Sequence, residues 1–147
     1  MSAQLTGTYD PEQLITVVGG VIITGFSDGD SITVKRDEDL YSKRVGTNGD
    51  VARARNPNKS GSIEIRLLQT SEANDQLSAL FAINNLVSDG KIVLPIAISD
   101  LSGRSLYAAT QCWLKTLPEG IFGKEVSERV WVFDCADLRV YHGGNEV

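Results

Sequence analysis

The side chains able to do chemistry are few in this 147-residue chain: one histidine, two cysteines and scattered carboxylates. His142 precedes Gly143-Gly144 near the C-terminus and reads as a solvated turn residue rather than a base or ligand. Cys112 and Cys135 lie far apart in spacing that matches no metal or redox motif. Each sits in an apolar stretch, so both read as reduced core thiols, small hydrophobes that bury readily. A disulfide between them would require Cα atoms within about 7 Å. Zinc would need carboxylates to complete its ligand set in a geometry that no spacing here suggests. The cluster Asp28-Gly29-Asp30 is too short for an EF-hand loop, whose ligands spread over about twelve residues. Asp37-Glu38-Asp39 lies between Lys35-Arg36 and Lys43-Arg44 and reads as salt-bridging surface. No G-x-S-x-G, P-loop or dinucleotide fingerprint is present. Paired carboxylates for glycoside hydrolysis come without the aromatic-rich signature of a sugar cleft. The expectation is a chain with no catalytic residue, no metal and no cofactor.

The elements that would carry these residues are mainly strands. Leu14–Val18 and Val21–Thr24 are β-branched runs joined by Gly19-Gly20, a hairpin signal. Ser31–Lys35 alternates as a half-buried strand after the turn Ser27–Asp30, and Ser62–Gln69 alternates again. Thr70–Asp75 supplies capping residues and early acids for a helix over about 72–88, with Leu77, Leu80 and Phe81 on one face and Asp89-Gly90 as its stop. Ile92–Ser99 is strand-like, but Pro95 removes a ladder donor and places it at an edge or bulge. Asp100–Gly103 turns, Arg104–Lys115 returns as a long strand, and Leu117–Lys124 is a loop. Ser127–Tyr141 is a last long strand, apolar on both faces and so buried on both, within a sandwich or between subunits. Six or seven strands and one helix predict an antiparallel β-sandwich or small barrel with the helix packed on it. Ile63, Ile65, Leu67, Leu80, Trp113, Trp131 and Phe133 are the expected core.

Residues 35–59 differ from the rest. They hold seven basic and four acidic residues, three turn signals and few large apolar side chains. Long excursions without a core are uncommon, and those that occur are usually functional or disordered. The plain reading is a solvated charged loop. The sharper one is an arm that orders against a neighbouring subunit, with Lys35, Arg36, Asp37, Glu38, Asp39, Lys43, Arg44, Arg53, Arg55 and Lys59 as contacts.

Length and composition predict a single domain over 1–147, with 41% hydrophobic and 22% charged residues, both ordinary for a folded protein. The net charge of −5 disfavours tight nucleic-acid binding, which depends on phosphate neutralisation by Lys and Arg. The opening Met1–Leu5 has no basic n-region, so no secretory signal is expected, and apolar runs such as Ile92–Ile98 are too short to span a bilayer.

The stretch ITVKRDEDLYSKRVGTNGDVARARNPNKSGSIEIRLLQTSEAND, Ile32 to Asp75, resembles the tail-tube family of contractile-tailed bacteriophages. So do GKEVSERVWVFDCADLRVYHGGN, Gly123 to Asn145, and the opening YDPEQLITVVGGVIITGFSDGD. The resemblance implies a β-sandwich or barrel with one flanking helix, similar to the hemolysin-coregulated proteins of type VI secretion. It also implies hexameric rings that stack into the inner tube of a virion assembled in a bacterial cytoplasm. The partners implied are further copies of the chain and the sheath, tape-measure, terminator and baseplate proteins. DNA would pass through the lumen without specific binding, and a ring of six copies at −5 would carry about −30, repelling phosphates. A tube of a phage-like bacteriocin or secretion system would share the fold. A monomeric binding module, its charged loop capturing a ligand, is the reading from another class.

Overall fold

Gly19 and Gly20, at φ of 57° and 85°, make the tight turn that their paired β-branched flanks predict. Here β1 (Leu14–Val18) folds back antiparallel on β2 (Val21–Ile22). The computed structural model describes residues 3–87, 90, 91, 93–101 and 103–144. After β2 come β3 (Ile32–Arg36), β4 (Tyr41–Val45), β5 (Val51–Arg55) and β6 (Gly61–Leu68). The helix α1 (Ala73–Val87) follows, then β7 (Leu94–Asp100), β8 (Leu106–Thr116), β9 (Glu128–Cys135) and β10 (Leu138–Tyr141). Position 88 of the expected helix, Asp89 of its stop, Ile92 of the next strand and Ser102 of the next turn lie outside the described residues.

The fold is mainly β, with every strand pair antiparallel and one α-helix among the described residues. The main sheet runs β2-β1-β7-β8-β9-β6-β3, with β10 also on β8. Its end strands β2 and β3 do not pair, so the sheet bends into a sandwich without closing into a barrel. Leu14 and Ile98 from one half and Ile32 and Val34 from the other line a common cavity.

Strict alternation builds the core. Ile63, Ile65 and Leu67 on β6 are fully buried, and Trp131, Phe133 and Cys135 on β9 point the same way. Val18, Ile96, Ile98, Ala109, Cys112 and Leu138 complete the far side. The helix adds Ala73 and Leu77, with Leu80 partly buried against the cluster and Ile83 exposed. Its N-terminus is fixed by polar contacts. The Ser71 hydroxyl accepts from the Ala73 amide and donates to the Thr24 carbonyl, satisfying one free donor of the first turn. Buried Asn74 donates to the Leu68 carbonyl and accepts from the Trp131 indole at 3.0 Å, tying α1 to β9.

Three sequence expectations need correction, and the choice left open for Pro95 between an edge and a bulge is decided. Residues 35–59 are not a loop: β4 and β5 form a separate two-stranded sheet with five opposed pairs, from Tyr41↔Arg55 to Val45↔Val51. Pro95 sits not on an edge but on a bulge, where the β7–β8 register shifts between Leu94 and Ile96. Its carbonyl still accepts from the Gly19 amide at 2.8 Å. The long strand 127–141 is broken at Ala136-Asp137, so β9 pairs with the C-terminal half of β8 and β10 with the N-terminal half. Trp113 is 41% exposed because its neighbour Cys112 takes the inward position on β8. Gly61 was not anticipated: a Cβ there would meet the Leu138 side chain and the Lys35 carbonyl, so β3 and β10 can close over it only without a side chain.

Trp131→Ala removes a buried ring and strands Asn74, and is expected to destabilise the subunit by about 3–5 kcal/mol. Trp113→Ala should cost much less. Thermal denaturation of both variants checks the assignment, and equal losses would overturn it.

Candidate functional site

The β4–β5 hairpin stands off the body, every one of its strand residues exposed. Residues 46–50 make its tip: the Gly46 amide donates to the Asp50 carbonyl, and Gly49 takes a φ of 89°. Strand pairing sorts the side chains onto two faces. Tyr41, Lys43, Val45, Val51, Arg53 and Arg55 share one, and Ser42, Arg44, Ala52 and Ala54 the other. The Arg53 guanidinium lies 4.6 Å over the Tyr41 ring, a diagonal cation–π contact that stiffens the basic face. Between residues 41 and 55 the arm carries four basic residues and one acid, net +3, so the remaining residues together carry −8.

The candidate contact residues divide by position. Lys43, Arg53 and Arg55 come together on one arm face, and Arg44 faces away from them. Asp37, Glu38 and Asp39 lie at the base, where they hold the arm to the body. The Ser60 hydroxyl donates to Asp37, the Asn56 amide side chain donates to Glu38 and to the Asp39 carbonyl, and the Asn56 backbone amide donates to the Leu40 carbonyl. Asn56 and then Asn58, by hydrogen bonding to its carboxylate, hold Glu38 below the usual glutamate range. Arg36 donates to the Leu138 carbonyl at 2.8 Å, while Lys35 and Lys59 are exposed.

A second feature lies elsewhere on the body. Tyr9, Glu12, Leu14, Ile22, Asp28 and Asp30 line a groove of about 840 Å³ that mixes apolar side chains with acids. Sequence reading passed over it because its parts come from separate turns. A third is the loop after β8, where Leu117, Ile121, Phe122 and Val126 are exposed together. The signal was there, four apolar residues in a segment with no strand or helix to bury them.

On the outer face of β6 and β9, Arg66 bridges Glu64 and Glu128, each at 3.0 Å, and the Ser27 hydroxyl donates to Glu128 at 2.7 Å. The Ser27 bond, then Arg66, holds the Glu128 carboxyl below its usual range. His142 is exposed, its Nδ1 2.8 Å from the Tyr107 hydroxyl. Among the described residues no three His, Cys, Asp or Glu side chains gather where a metal could sit, and no helix is long and apolar enough to cross a membrane.

This sandwich-plus-helix fold is shared with several solved chains of contractile injection systems. It resembles the tube terminating cap of the anti-feeding prophage (10% identity, TM-score 0.58, covering 96% of this chain and 95% of that one). It also resembles the sheath/tube terminator of an extracellular contractile injection system, PVC (12%, TM-score 0.61, 95% and 100%). A chain of the PVC sheath-tube complex is similar too (13%, TM-score 0.59, 91% of each). Structural protein ORF10 of Pseudomonas phage KPP10 is 31% identical over 147 residues, covering 96% of this chain and 85% of that protein. Residues 9–143 match the family described as Bacteriophage PhiTE tail tube protein, and the chain belongs to that family of phage tail structural proteins, components of the virion.

A depressed carboxyl pKa makes a testable claim. Glu128 stabilises the fold while ionised, so its contribution is present above the unfolded-state pKa and is lost as pH falls through the lower folded value. NMR titration should find Glu128 protonating below ordinary glutamates, and Ser27→Ala should move it back up. An unchanged midpoint in that variant would show that the hydroxyl does not hold the carboxylate.

Proposed function

We propose that the chain acts without catalysis, as the subunit of a tail tube: copies close into hexameric rings, and rings stack through the arm. One observation carries this reading. A five-pair hairpin with net charge +3 projects, fully exposed, from a body that is otherwise −8. A two-stranded hairpin is marginal by itself in water, so an arm with no core of its own gains stability from a surface that covers it. A second copy offers that surface. The acids Glu12, Asp28 and Asp30 of the groove match the arm in charge, and its apolar lining suits Tyr41, Val45 and Val51.

Head-to-tail contacts of this kind close into rings or extend into filaments, according to the rotation each contact imposes. The unpaired ends β2 and β3 supply strand edges for contact within a ring. The contractile-injection neighbours support a sheath outside such a tube and a terminator at its end, and the exposed loop Leu117–Val126 is the body's apolar candidate for such partners. Tape-measure and baseplate proteins complete the assembly, and an acidic wall lets DNA slide without adhering. The match to a phage tail tube family and to a phage structural protein favours a virion over a secretion tube.

Charge reversal tests the arm. Arg53→Glu with Arg55→Glu should leave a folded subunit, with unchanged thermal denaturation, that no longer forms tubes in negative-stain electron micrographs. Adding Asp28→Lys and Asp30→Lys should restore tubes in part. Tubes as abundant as wild type from the arm variant would remove the arm from assembly, and loss without rescue would remove the groove as its receptor.

A further inference from the structure

Cys112 on β8 and Cys135 on β9 stand directly opposite each other, both buried, with their Sγ atoms 3.1 Å apart. The adjacent ladder bond fixes what kind of pair this is. The Ala136 amide donates to the Gln111 carbonyl at 3.0 Å, which makes 112 and 135 a non-hydrogen-bonded pair. At such pairs the Cα atoms lie about 4.5 Å apart and the side chains lean together. A disulfide spans Cα separations of roughly 4.4–6.8 Å, so the bridge needs no strand to move.

Access is also provided. A cavity of about 30 Å³ lies against Cys112, lined by Leu77, Leu80, Trp113, Trp131 and Phe133. A space of this size admits a molecule as small as water, and a peroxide is little larger. Register shifts flank Cys112 on both sides, at Leu94–Ile96 against β7 and at Leu114–Thr116 against β9. Ladder irregularities there lower the cost of opening a path. The two sulfurs are not equivalent. The cavity is lined by Cys112 and not by Cys135, and the hydrogen bond between them lowers the Cys112 thiol against the effect of burial while that contact and burial push Cys135 up.

We propose that Cys112 and Cys135 are an oxidation site, closed by a peroxide into a disulfide that staples β8 to β9 within one subunit. The Cys112 thiolate attacks one peroxide oxygen, the O–O bond breaks, and Cys112 becomes a sulfenic acid while hydroxide leaves to be protonated to water. The Cys135 sulfur then attacks the sulfenic sulfur; the S–S bond forms, the S–O bond breaks, and a second water departs with the Cys135 proton. Two electrons pass from the thiols to the peroxide, giving one disulfide and two waters. The chemistry stands on this geometry alone. Its timing rests on the tail-tube reading: a subunit built in a reducing cytoplasm stays a dithiol, and a released virion meets oxidants.

The experiment is intact-mass spectrometry of the purified wild-type protein before and after hydrogen peroxide, with a non-reducing peptide map and a thermal melt. The expected result is loss of two hydrogens, a Cys112–Cys135 crosslinked peptide, no covalent dimer, and a Tm raised by about 5–10 °C. The Cys135→Ser variant should accumulate a dimedone-reactive sulfenic acid at Cys112 and show no rise in Tm. Two thiols left free under native conditions, oxygen added without a crosslink, or disulfide-linked dimers would each overturn the proposal. Electron micrographs of the untreated protein report on tube formation independently, so the two ideas fail separately.

Discussion

The eight-pair ladder between β6 and β9, from Gly61↔Cys135 to Leu68↔Glu128, is the contact on which the other elements depend. It sets Ile63 opposite Phe133 and Ile65 opposite Trp131, four large side chains on one face. Because side chains alternate with period two, a slip of one residue would turn all four to solvent, so burial itself enforces the register. Every neighbour takes its place from this ladder. The strand β3 adds to the free edge of β6, and β8 adds to the free edge of β9. The helix is fastened by the Trp131–Asn74 hydrogen bond, which satisfies two buried polar groups at once. On the opposite face, Arg66 spans Glu64 on its own strand and Glu128 on the next. These ions are partly exposed and screened, so they bias the pairing while the apolar face carries the energy.

The same alternation decides how much was legible in the sequence. Wherever one face is buried and the other wet, the pattern is readable, and Ile63, Ile65 and Leu67 stand out from Ser62, Glu64 and Arg66 without any structure. The Gly19-Gly20 hairpin was legible for a different reason, since two consecutive positive φ angles need the residue type that is written there. Reading failed where a large ring stands on the wet face, between Gln111 and Lys115. Around Cys112-Trp113-Leu114 the larger side chain invites the inward assignment, yet parity gives that position to the cysteine. It failed again where neither face is apolar. In β4 and β5 no residue is buried, so hydrophobic periodicity carries no signal, and the strands are held by cross-strand pairing and by hydrogen bonds of Asn56 and Ser60 at their base. The arm was legible as an excursion and illegible as a sheet.

That contrast between body and arm is informative about assembly. A charged loop that needs order only on binding would show no regular pairing in an isolated subunit. The arm shows five paired positions, a stacked arginine and a base clamped through Asp37, Glu38 and the Asp39 carbonyl, so part of its ordering cost is met within the subunit. Preordering raises the affinity obtainable from a given contact area, because less conformational entropy remains to be lost. The carboxylates of Asp37 and Glu38 therefore serve the arm from within the subunit, and Lys43, Arg53 and Arg55 share its exposed face.

Edges complete the argument. An open sheet with free ends at β2 and β3, and a hairpin with both edges free, exposes unpaired backbone donors and acceptors that a solitary protein would need to protect. Here the protection is uneven. The arm edge is lined with Lys and Arg, which discourage indiscriminate strand pairing, and the short β2 limits what can add to it. Such edges tolerate a partner of opposite charge and fixed shape while resisting like copies in the wrong register. For the tube subunit proposed above that is the needed selectivity, since each copy would have to remain apart from its fellows in solution yet add repeatedly, in one geometry, to a growing end.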